Sequence, residues 1–378
     1  MGGGPARLDG SVIDLREACA RLLLVGFPGR ELDRDLAGLV DAGVLGAILF
    51  GRNVGTAVET ARLVGELKRR AGRPFPVSVD QEGGRVARLR GAPYVALPPM
   101  RVVGQRADTE VARRVGRLLA FELRATGFDW DFAPVLDVDS NPANPVIGDR
   151  SFGPDPAEVG RLGVALAEGM EAGGVASCGK HFPGHGDTLQ DSHLTLPVLE
   201  HGLERLETVE LVPFRAYARA GLASVMTAHV RFPALGEDVA ATMSRASITG
   251  LLRERLGFQG VVVSDDLEMK AIADPEAAAV DAVRAGVDVL LVCHHAAVQH
   301  RVLDALVAAA RTGHVSEERL REAHGRIEQL VQRFVRGHED RASELGSAEH
   351  RRIADEIALP SPATVSGRDP TARPDAPG

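Results

Sequence analysis

Between positions 180 and 193 the chain reads Lys180-His181-Phe182-Pro183-Gly184-His185-Gly186-Asp187-Thr188-Leu189-Gln190-Asp191-Ser192-His193. Three histidines, two aspartates and a lysine fall within these fourteen residues, and the proline and glycines among them forbid a regular helix. A polar surface loop is the plain reading. Against it, the segment follows an apolar run, and loops this rich in titratable groups are disproportionately functional. Two chemistries compete. His181 and His185 have the i, i+4 spacing of a helical zinc pair, but Pro183 and Gly184 break that helix. Acid–base work suits the segment better: Asp191 lies two residues from His193, and a carboxylate partner fixes an imidazole's tautomer and raises its basicity.

A second acidic signal closes a valine-rich run at Ser264-Asp265-Asp266-Leu267. Adjacent strand residues face opposite sides, so one aspartate points to a site and the other is free to cap a following turn. Retaining glycoside hydrolysis needs a carboxylate nucleophile and a separate acid/base, and Asp265 with the Asp191–His193 pair would supply them. Two further segments carry polar groups in loop settings. Asp80-Gln81-Glu82-Gly83-Gly84-Arg85-Val86-Ala87-Arg88 suits polyol binding, although surface ion pairing is the commoner fate of such charges. Gly148-Asp149-Arg150-Ser151-Phe152 follows an Asn/Pro-rich stretch and by itself reads only as loop.

The positioning elements are eight short apolar runs: 22–27, 46–50, 76–80, 128–133, 174–178, 224–227, 260–264 and 287–292. Bounded by Gly or Pro and mostly without alternation, they fit strands covered on both faces. Helical patterns separate them. From Ser316, a predicted N-cap, the residues Leu320, Ala323, Ile327, Leu330, Val331 and Phe334 share one helical face. Strand–helix alternation with eight strands predicts an α/β fold, a single-domain (β/α)8 TIM barrel over residues 1–335; a doubly wound open sheet is the alternative. Asp80, Lys180, His229, Asp265 and His294 all end their runs, and strand C-termini converge on the catalytic mouth of a barrel. Residues 336–378, which carry Pro360, Pro362, Pro370, Pro374 and Pro377, read as a polar, disordered tail.

Composition narrows the function. Of 378 residues 44% are hydrophobic and only 4% aromatic, so the core is built from Ala, Val and Leu, and a net charge of −8 argues against a nucleic-acid partner. Three widely spaced cysteines, Cys19, Cys178 and Cys293, form neither a disulfide framework nor a zinc pattern. The N-terminal residues lack the order of a signal peptide and no apolar run is long enough to span a membrane, which gives a cytoplasmic expectation.

Taken in chain order over about residues 20–335, these segments, together with Met226-Thr227-Ala228-His229-Val230, resemble the β-N-acetylhexosaminidases of glycoside hydrolase family 3. The Lys-His-Phe-Pro-Gly-His-Gly run with its Asp-Ser-His is the most specific of them. The resemblance implies a (β/α)8 barrel and double displacement, with Asp265 as nucleophile, His193 as acid/base and Asp191 as its partner. It places the sugar-holding roles on Asp80, Arg88, Arg150, Lys180 and His181, and implies neither cofactor nor metal. The family's β-glucosidases are typically longer, with a second domain that often supplies a glutamate acid/base; this chain has no room for it. The implied substrate is terminal N-acetylglucosamine on cell-wall fragments, a small carbohydrate or muropeptide, as in peptidoglycan recycling. Three other readings stand beside it: a phosphorylase of the same family, a metal-dependent hydrolase on the same barrel, and a non-catalytic sugar binder.

Overall fold

In a computed structural model, residues 6–8, 11–190, 194–337 and 341–357 are described. An antiparallel hairpin, β1 (Ala6–Leu8) and β2 (Ser11–Ile13), precedes eight parallel strands. These are β3 (Leu23–Val25), β4 (Gly46–Leu49), β5 (Val77–Val79), β6 (Trp130–Asp131), β7 (Cys178–Phe182), β8 (Ser224–Thr227), β9 (Val261–Asp266) and β10 (Val289–Val292). Their order is β6-β5-β4-β3-β10-β9-β8-β7. The two ends of that row meet through parallel bridges, Trp130 to Ala176 and Val135 to Lys180. The sheet therefore closes into the (β/α)8 barrel, and the open-sheet alternative falls. Strands buried on both faces explain why the runs lack alternation: every residue of β3, β4, β5, β8 and β10 is buried.

Helices end where local chemistry dictates. Helix Ala57–Ala71 begins with a capping box, Thr56 accepting from Glu59 N–H while Glu59 accepts from Thr56 N–H, and stops at Gly72 with φ +62°. Asp108 caps helix Thr109–Ala125 by accepting from Glu110 and Val111 N–H. Helix Glu317–Phe334 starts at its predicted cap, Ser316, and buries all six residues of its predicted face. No helix among the described residues is long and apolar enough to cross a membrane.

Two expectations need correction. The fifth run, 174–178, forms a strand only from Cys178, because Gly174 at φ +84° is still completing the turn after helix Pro156–Ala172. Lys180 and His181 consequently lie within β7 rather than beyond it. The expected disordered tail also fails over 341–357. Helix Ala348–Ile357 packs near helix Thr109–Ala125, with Ala342, Leu345 and His350 buried. Three contact residues in so short a stretch are too few to register as periodicity.

At the N-terminal ends of the strands, buried aspartates bind strands to helices. Asp129 accepts from Lys68 Nζ at 2.7 Å, Arg124 Nη1 at 2.9 Å and Val77 N–H at 3.1 Å. Asp288 takes Arg253 Nη2 at 2.6 Å, Arg326 Nη1 at 3.0 Å, Arg319, and Val262 N–H at 3.0 Å. Asp288→Ala would strand three arginines around a vacated buried position. We expect urea denaturation to show a loss of about 3–5 kcal/mol; a loss within the noise of a surface substitution would mean that water already solvates these guanidinium groups.

Candidate active site

At the C-terminal ends of the strands a cluster of buried charges links β5, β7 and the loop after β6. Lys180 Nζ, 1% exposed, lies 2.8 Å from Asp80 Oδ1 and 2.6 Å from Glu82 Oε1. Arg150 grips Glu82 with two bonds, Nε to Oε2 and Nη2 to Oε1, both 2.8 Å, and Arg88 Nη2 stands 3.5 Å from Asp80 Oδ2. Burial pushes the Asp80 carboxyl up, but Lys180 and Arg88 more than offset this and hold it below its ordinary range. Glu82 is likewise held well below it, by Arg150 and Lys180 against burial. Burial opposes the charge on Lys180, yet Asp80 and Glu82 raise its pKa above the ordinary lysine value. All three side chains are therefore ionised at neutral pH, as buried ion pairs must be to offset their desolvation.

The turn carrying this cluster depends on Gly83 and Gly84 at φ +95° and +56°, which let Val86 N–H fold back to Gly83 and Glu82 N–H to Val86. The side chain of Gln81 then fixes the following backbone. Its Oε1 accepts from Arg88 N–H at 2.7 Å and Leu89 N–H at 3.0 Å, and its Nε2 donates to Leu89 O at 3.1 Å.

Next to the cluster, Asp137 organises the histidine loop. One of its oxygens receives His181 Nδ1 at 2.6 Å and the other His185 N–H at 2.7 Å. His181 Nδ1 is thereby held as a donor to the Asp137 carboxylate. Burial raises the Asp137 pKa, and the neighbouring His181 and His185 bring it below the usual value. Gly186 allows the loop to lie against Val138, since a Cβ there would come within 1.8 Å of Val138 O. His185 and His181 meet edge to face, their centroids 5.9 Å apart, so His185 sits in a packed turn with Thr188 Oγ1 at 2.8 Å from its Nδ1.

The two aspartates ending β9 have different surroundings. Asp266 accepts from Glu268 N–H at 3.1 Å, Cys293 N–H at 3.2 Å and His294 Nε2 at 3.0 Å. Asp265, partly exposed, has a single hydrogen bond among the described residues, from Asp266 N–H to its Oδ1 at 2.8 Å. Its charge is one of the influences on His185, where it acts to raise the imidazole pKa. Asp191 and His193 lie outside the described residues.

A buried carboxylate–cation cradle beside a lightly bonded carboxylate at a barrel mouth is an arrangement for polyol chemistry, and comparison with known proteins agrees. The glycosyl hydrolase family 3 N terminal domain matches residues 14–330. The chain belongs to glycoside hydrolase family 3. It is 44% identical over 295 residues to a beta-hexosaminidase of Thiobacillus denitrificans, covering 74% of this chain and 80% of that one. Among solved structures, a family 3 beta-N-acetylglucosaminidase from Paenibacillus superposes with a TM-score of 0.84 at 41% identity, over 91% of this chain and 68% of that one. NagZ of Neisseria gonorrhoeae, solved with N-trifluoroacetyl-D-glucosamine, gives 0.78 at 34% identity over 89% of this chain and 97% of that one; it has also been solved with zinc ion.

Within this glycoside hydrolase, the predicted Asp80, Arg88, Arg150 and Lys180 fall in one cluster, with His181 adjacent and Asp265 on the same face. Sequence reasoning assigned no role to Glu82 or Asp137. Glu82 stood in a segment singled out for its acids, while Asp137 follows the fourth run by a few residues and had only its strand-end position to betray it. His229 and His294, noted as strand-end groups, serve the neighbour of Asp265: His229 Nε2 meets Asp266 O at 3.0 Å and His294 meets the Asp266 carboxylate. Among the described residues no three His, Cys, Asp or Glu side chains gather as a metal cage.

His185 supplies a pH test. Burial, assisted by the His181 charge and opposed by Asp137 and Asp265, drives its pKa from 6.5 down to about 4. Between those values the unfolded chain binds a proton that the folded chain does not. Stability contributed by this group is therefore complete above pH 6.5 and falls as pH drops toward 4, by on the order of 3 kcal/mol in all. NMR of ring-labelled histidine is expected to find His185 neutral at pH 5.5. A midpoint near its ordinary value would mean that the packed turn is open to water.

Proposed function

We propose that this chain is a retaining exo-β-N-acetylglucosaminidase that removes terminal N-acetylglucosamine from peptidoglycan fragments in the cytoplasm, by double displacement. The observation that carries the reading is the contrast at the end of β9. Among the described residues Asp266 is tied by three donors, whereas the Asp265 carboxylate receives one and is partly exposed at the mouth. A lightly bonded carboxylate keeps a lone pair for an anomeric carbon, and a neighbour anchored to β10 fixes its direction. The beta-hexosaminidase name of the Thiobacillus relative and the glucosamine derivative bound to gonococcal NagZ support the sugar.

In this mechanism Asp80, Arg88, Arg150, Lys180 and His181 hold the sugar, their geometry set in advance by their bonds to one another, to Glu82 and to Asp137, so little reorganisation accompanies binding. Asp265 attacks the anomeric carbon while His193, partnered by Asp191, protonates the departing oxygen. His193 then takes a proton from water, which displaces Asp265 and restores the β configuration.

The test is turnover of an aryl β-N-acetylglucosaminide against the matching β-glucoside. Asp265→Asn is expected to abolish nearly all turnover with the fold intact, a fluorinated analogue to label the peptide at Asp265, and the first product to be the β-anomer. Label on Asp266, or an α-anomer first, would overturn the assignment. Added phosphate and prior dialysis against chelator are further arms: phosphorolysis, or activity that returns only with zinc, would replace this reading by the phosphorylase or metal-dependent one. His193→Ala is expected to lose roughly 10²–10⁴-fold on a disaccharide and far less on a nitrophenyl glycoside, whose leaving group departs without a proton; equal losses on both would leave His193 a shaping role only.

A further inference from the structure

The ordered segment 341–357 reaches the sugar-binding loop through one buried carboxylate. Glu122, 1% exposed on helix Thr109–Ala125, accepts two hydrogen bonds on the same oxygen: Val95 N–H at 2.7 Å and His350 Nε2 at 2.8 Å. Gly346 N–H donates to His350 Nδ1 at 2.7 Å. Nδ1 is therefore an acceptor, and the ring proton must sit on Nε2, aimed at Glu122. His350 is 2% exposed and stacks on Phe121 with centroids 5.4 Å apart and planes 14° from parallel.

Val95 belongs to the loop after β5 that carries Arg88. Near its start this loop is fixed by the Gln81 side chain, which holds Arg88 and Leu89. Farther along, the side chain holding its backbone is Glu122. The other Glu122 oxygen is buried with no partner among the described residues, so the two donors on Oε1 alone satisfy the carboxyl. Burial pushes its pKa up, and the bonds from His350 and Val95 act against that rise. Without His350, the buried carboxyl would keep only the Val95 N–H. Rotation of the under-bonded carboxyl away from this position would then release Val95.

We infer that His350 is a positioning residue for the sugar-binding loop, acting through Glu122 and Val95 to hold Arg88 in place, and that segment 341–357 is a working part of the enzyme. The inference rests on the reading that Arg88 holds the sugar.

Two variants separate positioning from packing, assayed in the full chain on an aryl β-N-acetylglucosaminide. His350→Phe keeps a ring on Phe121 but has no N–H; KM is expected to rise roughly tenfold, the worth of a hydrogen bond to a charged group, with kcat unchanged. His350→Gln loses the ring but can present an amide N–H to Glu122; its KM is expected to match the wild type. Each variant is diagnostic alone. A wild-type KM in His350→Phe, or a raised KM in His350→Gln, overturns the inference, and the reverse pattern in both would mean that the ring merely packs. Arg88→Ala tests the underlying reading separately. If it leaves KM unchanged, Arg88 does not hold sugar; if it raises KM while His350→Phe does not, only the role of His350 is lost.

Discussion

Lys180 has almost no contact with solvent, and its ammonium survives there only because two carboxylates lie within 3 Å. Burying a single charge would cost far more than a domain's net stability. Lys180 on β7 therefore requires Asp80 and Glu82 beyond β5, and Glu82 in turn requires both arms of Arg150 from the loop after β6. This chain of obligations fixes how the strand-end loops meet. The glycine turn after β5, the Gln81 clamp on Arg88 and the seating of Asp137 against the histidine loop all lie around it. Removing any one partner would leave an uncompensated charge, so the cluster tolerates loss of a member poorly.

The opposite end of the barrel has the same kind of chemistry for a different purpose. Asp129 and Asp288 also gather cations, but they accept backbone N–H from β5 and β9 and bind helices to strand starts. Arg319 reaches one further carboxylate, Glu322, but on its own helix Glu317–Phe334 rather than toward the mouth. The difference between a brace and a site is visible in hydrogen-bond saturation. Asp288 has four donors and Asp266 three, whereas among the described residues Asp265 has one.

What was legible in the sequence follows from range. Helix Glu317–Phe334 was readable because its face repeats within the helix and its cap is adjacent. The eight strands were readable because burial on both faces leaves an unbroken apolar signature. Lys180 and His181 stood out as candidate site residues, yet their place inside β7 was not legible, since the partners that permit a buried lysine lie a hundred positions away. Asp137 escaped notice for the same reason: its worth is set by His181 and His185, which nothing local announces. The segment around His350 was misread because its order depends on Glu122 and Phe121, not on its own pattern.

Barrel closure has a consequence for how this molecule is made. Leu23, in the first barrel strand, pairs with Leu290 in the last, so one edge of β3 has no neighbour until residue 290 has left the ribosome. A nascent chain carries that apolar edge exposed while most of the protein is still being synthesised, and open strand edges invite pairing with other chains. Translation speed and chaperone capture thus bear on the yield of this enzyme in a way that its finished, edgeless barrel does not reveal.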